Sequence, residues 1–203
     1  MVEVEVDLHS DTQTRPSPGM REAMAEAPVG DEQRGEDPSV NRLCEMAAEL
    51  TGKEAAVFMP SGTMCNQASI LVHCRPGDEI IADKTSHIIN SESGGAAALA
   101  GAQIRAIDGK RGIFTAEQAE AAVSSVKRNI PRTRMIEIEQ TSNAGGGSVW
   151  PLETIREVAE VAKRHDLIMH MDGARMLNAA VASNVTAADF AEPFDSLWID
   201  LSK

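Results

Sequence analysis

The chain has 203 residues, an apolar fraction of 42%, a charged fraction of 25% and a formal net charge of −12. That length buries a sizeable core, and the composition is that of an ordinary globular protein. The acidic balance and the lack of tyrosine exclude a nucleic-acid partner and an anionic membrane partner, while leaving open a local anion pocket built from backbone amides.

Met1 to Leu8 alternates valine with acids, an extended opening without the apolar core of a signal peptide. No apolar run approaches a membrane span. Cys44, Cys65 and Cys74 lack C-x-x-C spacing and read as reduced thiols of a cytoplasmic protein, with no disulfide frame and no metal site. Turn formers dominate residues 1–37, which read as an N-terminal arm with one helix around Met20 to Ala27. Asp37 and Pro38 then open a helix that Gly52 closes, with Val40, Leu43, Ala47 and Leu50 on one face.

From there an alternation is expected. Strands are predicted at Ala55 to Met59, Glu79 to Ala82, Gln103 to Ile107, Met135 to Glu139, Leu167 to Met171 and Leu197 to Leu201. Between them, helices are predicted from Ser61 to about His73, Glu92 to Ala100, Thr115 to Val126, Leu152 to His165 and Ala174 to Ala182. Strands separated by helices require crossovers, so residues 38–203 read as one α/β domain, a mainly parallel sheet flanked by helices.

In such sheets ligands lie beyond the carboxyl ends of the strands, and the candidate residues fall there. Gly62 and Thr63 open a helix and read either as a phosphate site or as an ordinary helix start capped by Ser61. His87 follows the second predicted strand and reads as a stacking partner for a flat cofactor or as a half-buried structural histidine. Asn143 follows the fourth and reads as a donor to a ring hydroxyl or as a turn residue. His170 and Asp172 share one side of the fifth, and no third ligand of suitable spacing accompanies them for a metal. Lys203 follows the last strand, as an activated amine or as a surface lysine. A lysine and an aspartate at two such strand ends suggest pyridoxal 5'-phosphate, held by the amine as a Schiff base and paired at its ring nitrogen with the carboxylate.

Longer strings sharpen this reading. S-D-T-Q-T-R-P (Ser10 to Pro16), A-P-V-G-D (Ala27 to Asp31) and G-E-D-P-S-V-N (Gly35 to Asn41) are similar to signatures of the L-threonine aldolase branch of the β-eliminating lyase family, fold-type I pyridoxal-phosphate enzymes. So are K-E-A-A-V-F-M-P-S-G-T (Lys53 to Thr63), M-D-G-A-R (Met171 to Arg175) and L-S-K (Leu201 to Lys203). The resemblance implies the large domain of an aspartate aminotransferase-like fold, truncated after Lys203 so that the small C-terminal domain is absent. It also implies a homodimer or homotetramer acting on a small amino acid.

By the same resemblance, Lys203 forms the Schiff base, Asp172 pairs with the ring nitrogen, and His87 stacks on the ring and serves as acid or base. Gly62 and Thr63 bind phosphate. Arg175 lies near the ring hydroxyl and, with Ser10, near the substrate carboxylate, and Glu92 lies near the site. The implied reaction cleaves a threonine-like β-hydroxy-α-amino acid to glycine and an aldehyde. A β-elimination on a related amino acid and a non-catalytic fragment are the alternatives. Two positions depart from the family pattern: Arg34 stands where many members carry tyrosine, and Ser142 where many carry histidine. An arginine at position 34 suggests an acidic substrate side chain, as in 3-hydroxyaspartate.

Overall fold

Short β-branched and apolar runs with side chains alternating between two faces build five strands. These are β1 (Asp78–Asp83), β2 (Gln103–Ile107), β3 (Arg132–Glu139), β4 (Ile168–Gly173) and β5 (Ser196–Ile199). The structure, a computed structural model, describes residues 6–125 and 127–203. All five strands pair in parallel in the order β2-β1-β3-β4-β5. The order reverses between β1 and β3, so a crevice opens at their carboxyl ends, the usual ligand position in such sheets.

Nine helices accompany the sheet among the described residues: α1 (Pro18–Glu26), α2 (Pro38–Thr51), α3 (Gly62–His73), α4 (His87–Asn90), α5 (Gly95–Ala100), α6 (Ala116–Ala122), α7 (Leu152–Arg164), α8 (Met176–Ser183) and α9 (Ala187–Ala191). None is long and apolar enough to cross a membrane. On one face of the sheet, Ile81, Ile136, Ile138, Met169 and Met171 pack on Phe114, Trp150 and the Ile155, Val158 and Val161 stripe of α7. Phe114 and Trp150 meet edge to face at 4.8 Å. On the other face, Ile80, Ala82 and Met135 pack on Ile70 and Cys74 of α3, Ile88 of α4 and the alanines of α5, whose small side chains let that helix approach closely.

The structure departs from the expected elements in several places. No strand forms at Ala55 to Met59. The segment runs outside the sheet with no neighbour to pair with, Val57 and Phe58 are exposed, and Lys53 is tied to the carbonyl of Phe194. The expected helix from Glu92 is broken: Ser93 and Gly94 take positive φ, α5 starts at Gly95, and Glu92 turns inward. The helix from Thr115 ends at Ala122, and Val126 lies outside the described residues. β5 stops at Ile199, because Asp200 accepts from the backbone and hydroxyl of Ser202 and turns the chain. The extended opening at Met1 to Leu8 lies largely outside the described residues, and no residue from Val6 to Asp37 is buried.

Candidate active site

Helix α3 delivers the first part of the site. Ser61 caps it by accepting from the Met64 amide at 3.2 Å. Gly62 is required there, because a Cβ would collide with the indole of Trp198. The Gly62 and Thr63 amides stand at the positive end of a twelve-residue helix, facing the cleft.

One turn further along α3, Asn66 is fully buried and joins four groups. Its Nδ2 donates to Glu92 at 2.8 Å and to Asp172 at 2.9 Å. Its Oδ1 accepts from Trp198 Nε1 at 2.8 Å and lies 3.2 Å from His170 Nε2. Gln67 also donates to Glu92. Glu92 Oε1 pairs with His87 Nδ1 at 2.8 Å, which places the proton of the neutral imidazole on Nδ1 and leaves Nε2 as the free base. His87, Glu92 and Asp172 offer ligand atoms within 4.8 Å of one another. Those same oxygens already receive Asn66, Gln67 and His87, so the cluster is a closed hydrogen-bonded network.

β3 and β4 supply the acids. Glu137 is opposite His170 and Glu139 opposite Asp172 in register, and all four are buried. Burial pushes the Asp172 carboxyl above its ordinary value, and the donors Asn66 and the Ala174 amide offset only part of this. Burial also raises Glu139, although it accepts the amides of His87 and Asn143, each at 2.8 Å. Glu137 is pushed furthest: its two oxygens have no hydrogen-bond partner, and Asp172 and Glu139 add repulsion that nearby Ser86 offsets only in part. Burial lowers His170 to about 3, so its ring is neutral between Asn66 and Ser196.

Asp172 and Glu139 border a cleft of about 650 Å³. Of the residues singled out in the sequence, Ser10, Gly62, Thr63, His87, Asp172, Arg175 and Lys203 line it together, and Asn143 joins them. Glu92 lies behind His87. Arg34 does not reach the cleft: it sits in a short exposed 3-10 turn, 3.6 Å from Asp31. Ser142 is buried and bridges to Ser148 across the glycine loop. Arg175 forms a two-pronged pair with Asp11, one contact at 2.8 Å, and this guanidinium holds the Asp11 carboxyl below its usual range. Lys203 Nζ lies 2.8 Å from Asp200 and 5.6 Å from the centre of the Trp198 ring. Burial raises Asp200, but its bonds with Lys203 and Ser202 outweigh that and leave it below its ordinary value.

Asn66, Gln67, Trp198, Asp11 and Glu137 are structural members of this region that the residue patterns did not single out. Asn66 falls four residues into a helix with an assigned cap, and a polar pair there with apolar neighbours was the available signal. Asp11 and Arg175 are 164 positions apart, and nothing local links them.

A parallel sheet that gathers an amine, a buried acid and a helix start at its carboxyl edge defines the large domain of an α/β enzyme fold. The chain belongs to the beta-eliminating lyase family, whose model matches residues 7–203. It is 45% identical to a probable low-specificity L-threonine aldolase 2 of Arabidopsis thaliana, covering 98% of this chain and 57% of that protein. It is 41% identical to the low specificity L-threonine aldolase of Escherichia coli K12, covering 98% and 59%. A solved Leishmania major threonine aldolase superposes with a TM-score of 0.84 at 22% identity, over 95% of this chain and 57% of that one. The chain thus spans a little over half the length of these relatives.

Proposed function

We propose that this chain carries the pyridoxal-phosphate site of an aldolase that cleaves a threonine-like β-hydroxy-α-amino acid to glycine and an aldehyde. The observation that carries the reading is the convergence of Lys203, Asp172, His87 and the start of α3 on one cleft. The residues suit the cofactor. Asp172 is a buried carboxyl whose raised pKa calls for a cationic partner, and Gly62 and Thr63 open α3 at the cleft, where backbone amides can receive a phosphate. The threonine aldolase names of the relatives point to the same reaction.

Bound pyridoxal phosphate would supply an imine-forming carbonyl and an electron-accepting ring. Lys203 would hold it through its amine, the Gly62 and Thr63 amides with the Thr63 hydroxyl would bind the phosphate, and Asp172 would keep a proton on the ring nitrogen. His87, its tautomer set by Glu92, presents Nε2 to take the proton of the substrate β-hydroxyl. Arg175 and Ser10 would bind the substrate carboxylate, with Asp11 fixing the guanidinium. Residues 1–37 would act as an arm over the site and 38–203 as the cofactor-binding domain. The bonds from Asp11 to Arg175 and from Thr14 to the Ser202 carbonyl at 2.7 Å support that division. Exposed Val57, Phe58, Leu71 and Val72 support a homo-oligomer that covers them, and three free thiols suit a cytoplasmic protein.

Product analysis tests the reaction. Glycine and an aldehyde from threonine, lost in Lys203→Ala, is the expected result. Ammonia and a keto acid would replace the aldolase with an eliminating lyase.

A further inference from the structure

Trp198 lines the cleft and meets the start of α3, Asn66 and Lys203, yet has no assigned role. It pairs in register with Asp172 on the neighbouring strand, and by the period of two both side chains rise on the same face of the sheet. Its indole occupies the space a Cβ on Gly62 would need. Its Nε1–H, which can only donate, ends on Asn66 Oδ1 at 2.8 Å. That bond, with His170 Nε2 at 3.2 Å from the same oxygen, helps orient the amide: with Oδ1 facing the indole, both Nδ2 hydrogens face the acids, and they reach Glu92 and Asp172 at 2.8 and 2.9 Å. The amine of Lys203 lies over the face of the same ring.

We propose that Trp198 is a positioning residue: one indole sets the Asn66 amide against Asp172 and Glu92, seats the start of α3 at Gly62 and guides the Lys203 amine, so that three parts of the site are held in register. Through Asn66 it reaches the acid, and through Asn66 and Glu92 it reaches the tautomer of His87. Without the indole N–H, only His170 still faces the amide oxygen, so the amide is held less firmly, and turning it would set its oxygen against two carboxyl groups, replacing two donors with repulsion. The inference rests on the reading of this cleft as a pyridoxal-phosphate site.

The test is Trp198→Phe in the full-length protein, which keeps an aromatic ring at Gly62 and Lys203 but removes the donor. Pyridoxal phosphate affinity, followed by absorbance titration, should fall about tenfold, the scale of one hydrogen bond. The acid limb of binding should also move to higher pH. Binding needs Asp172 ionised, and an amide oxygen turned toward it raises its pKa further, so affinity is lost earlier as pH falls. In the unmodified protein the Trp198 indole N–H should exchange slowly with solvent, and its nitrogen–proton resonance should move when pyridoxal phosphate is added. Affinity and acid limb unchanged within about twofold in Trp198→Phe would overturn the inference while leaving the proposed function intact. An indole proton exchanging as fast as free tryptophan overturns it even if the variant fails to fold. A wild-type protein that takes up no pyridoxal phosphate removes the proposed function and this inference together.

Discussion

The same strands present two unlike faces. On β3 and β4, Ile136, Ile138, Met169 and Met171 point into an apolar layer closed by α7. The alternate positions, Glu137, Glu139, His170 and Asp172, point toward α3 and α4 and are equally buried, but are acids and a neutral imidazole. One face gains stability from area removed from water. The other spends stability on desolvated carboxyl groups and gains a site whose charge is already oriented. A period-two strand thus serves core and chemistry at once, with the division drawn residue by residue.

Substitutions on the two faces should separate these contributions. The largest effect is expected from Asp172→Asn, which should reduce kcat/KM for aldol cleavage by about 10²-fold or more while the thermal midpoint stays level or rises, because a buried charge is removed. A matching loss of folding would show that the acid face is structural. Ile138→Ala, on the neighbouring strand β3 and facing the apolar layer, should cost about 2–5 kcal/mol in denaturant unfolding and leave pyridoxal phosphate affinity unchanged.

A smaller, pH-dependent effect is expected at Glu137. Its folded pKa is raised, so its contribution is fully present below the ordinary carboxyl range and is lost as pH rises toward the folded value. Glu137→Met should therefore stabilise the protein at pH 8 by about 1–3 kcal/mol, with the gain vanishing near pH 4. A gain that does not change with pH would show that Glu137 has an unseen partner. The smallest effect is expected from Asp11→Asn, at the half-exposed pair with Arg175. Stability should change by less than about 1 kcal/mol, whereas KM for the amino acid should rise as the guanidinium loses its anchor. A melting shift without a KM change would detach Arg175 from substrate binding.

Much of this contrast is legible in the residues. The runs at 79–82, 103–107, 135–139 and 167–171 announce strands, and the carboxyl ends of three of them locate Lys84 to His87, Gln140 to Asn143 and Asp172 at the crevice. Ala55 to Met59 has the same local pattern and forms no strand, because pairing depends on a neighbour that no local pattern records. Helix α9 carries a local signal, the Thr186–Asp189 capping box, contained within four residues. Asn66 and Trp198 are not legible as a pair, since their bond spans 132 positions and neither residue type announces it. Arg34 illustrates the converse, a residue placed by motif alignment whose side chain the fold leaves exposed beside Asp31.

The central claim is that the acid face, with Lys203, holds pyridoxal phosphate. Borohydride reduction of the protein with pyridoxal phosphate, followed by peptide mass mapping, tests it most directly. A single pyridoxyl group is expected on Lys203, with labelling reduced in Asp172→Asn. A label on Lys53 or Lys84, or none at all, would contradict it.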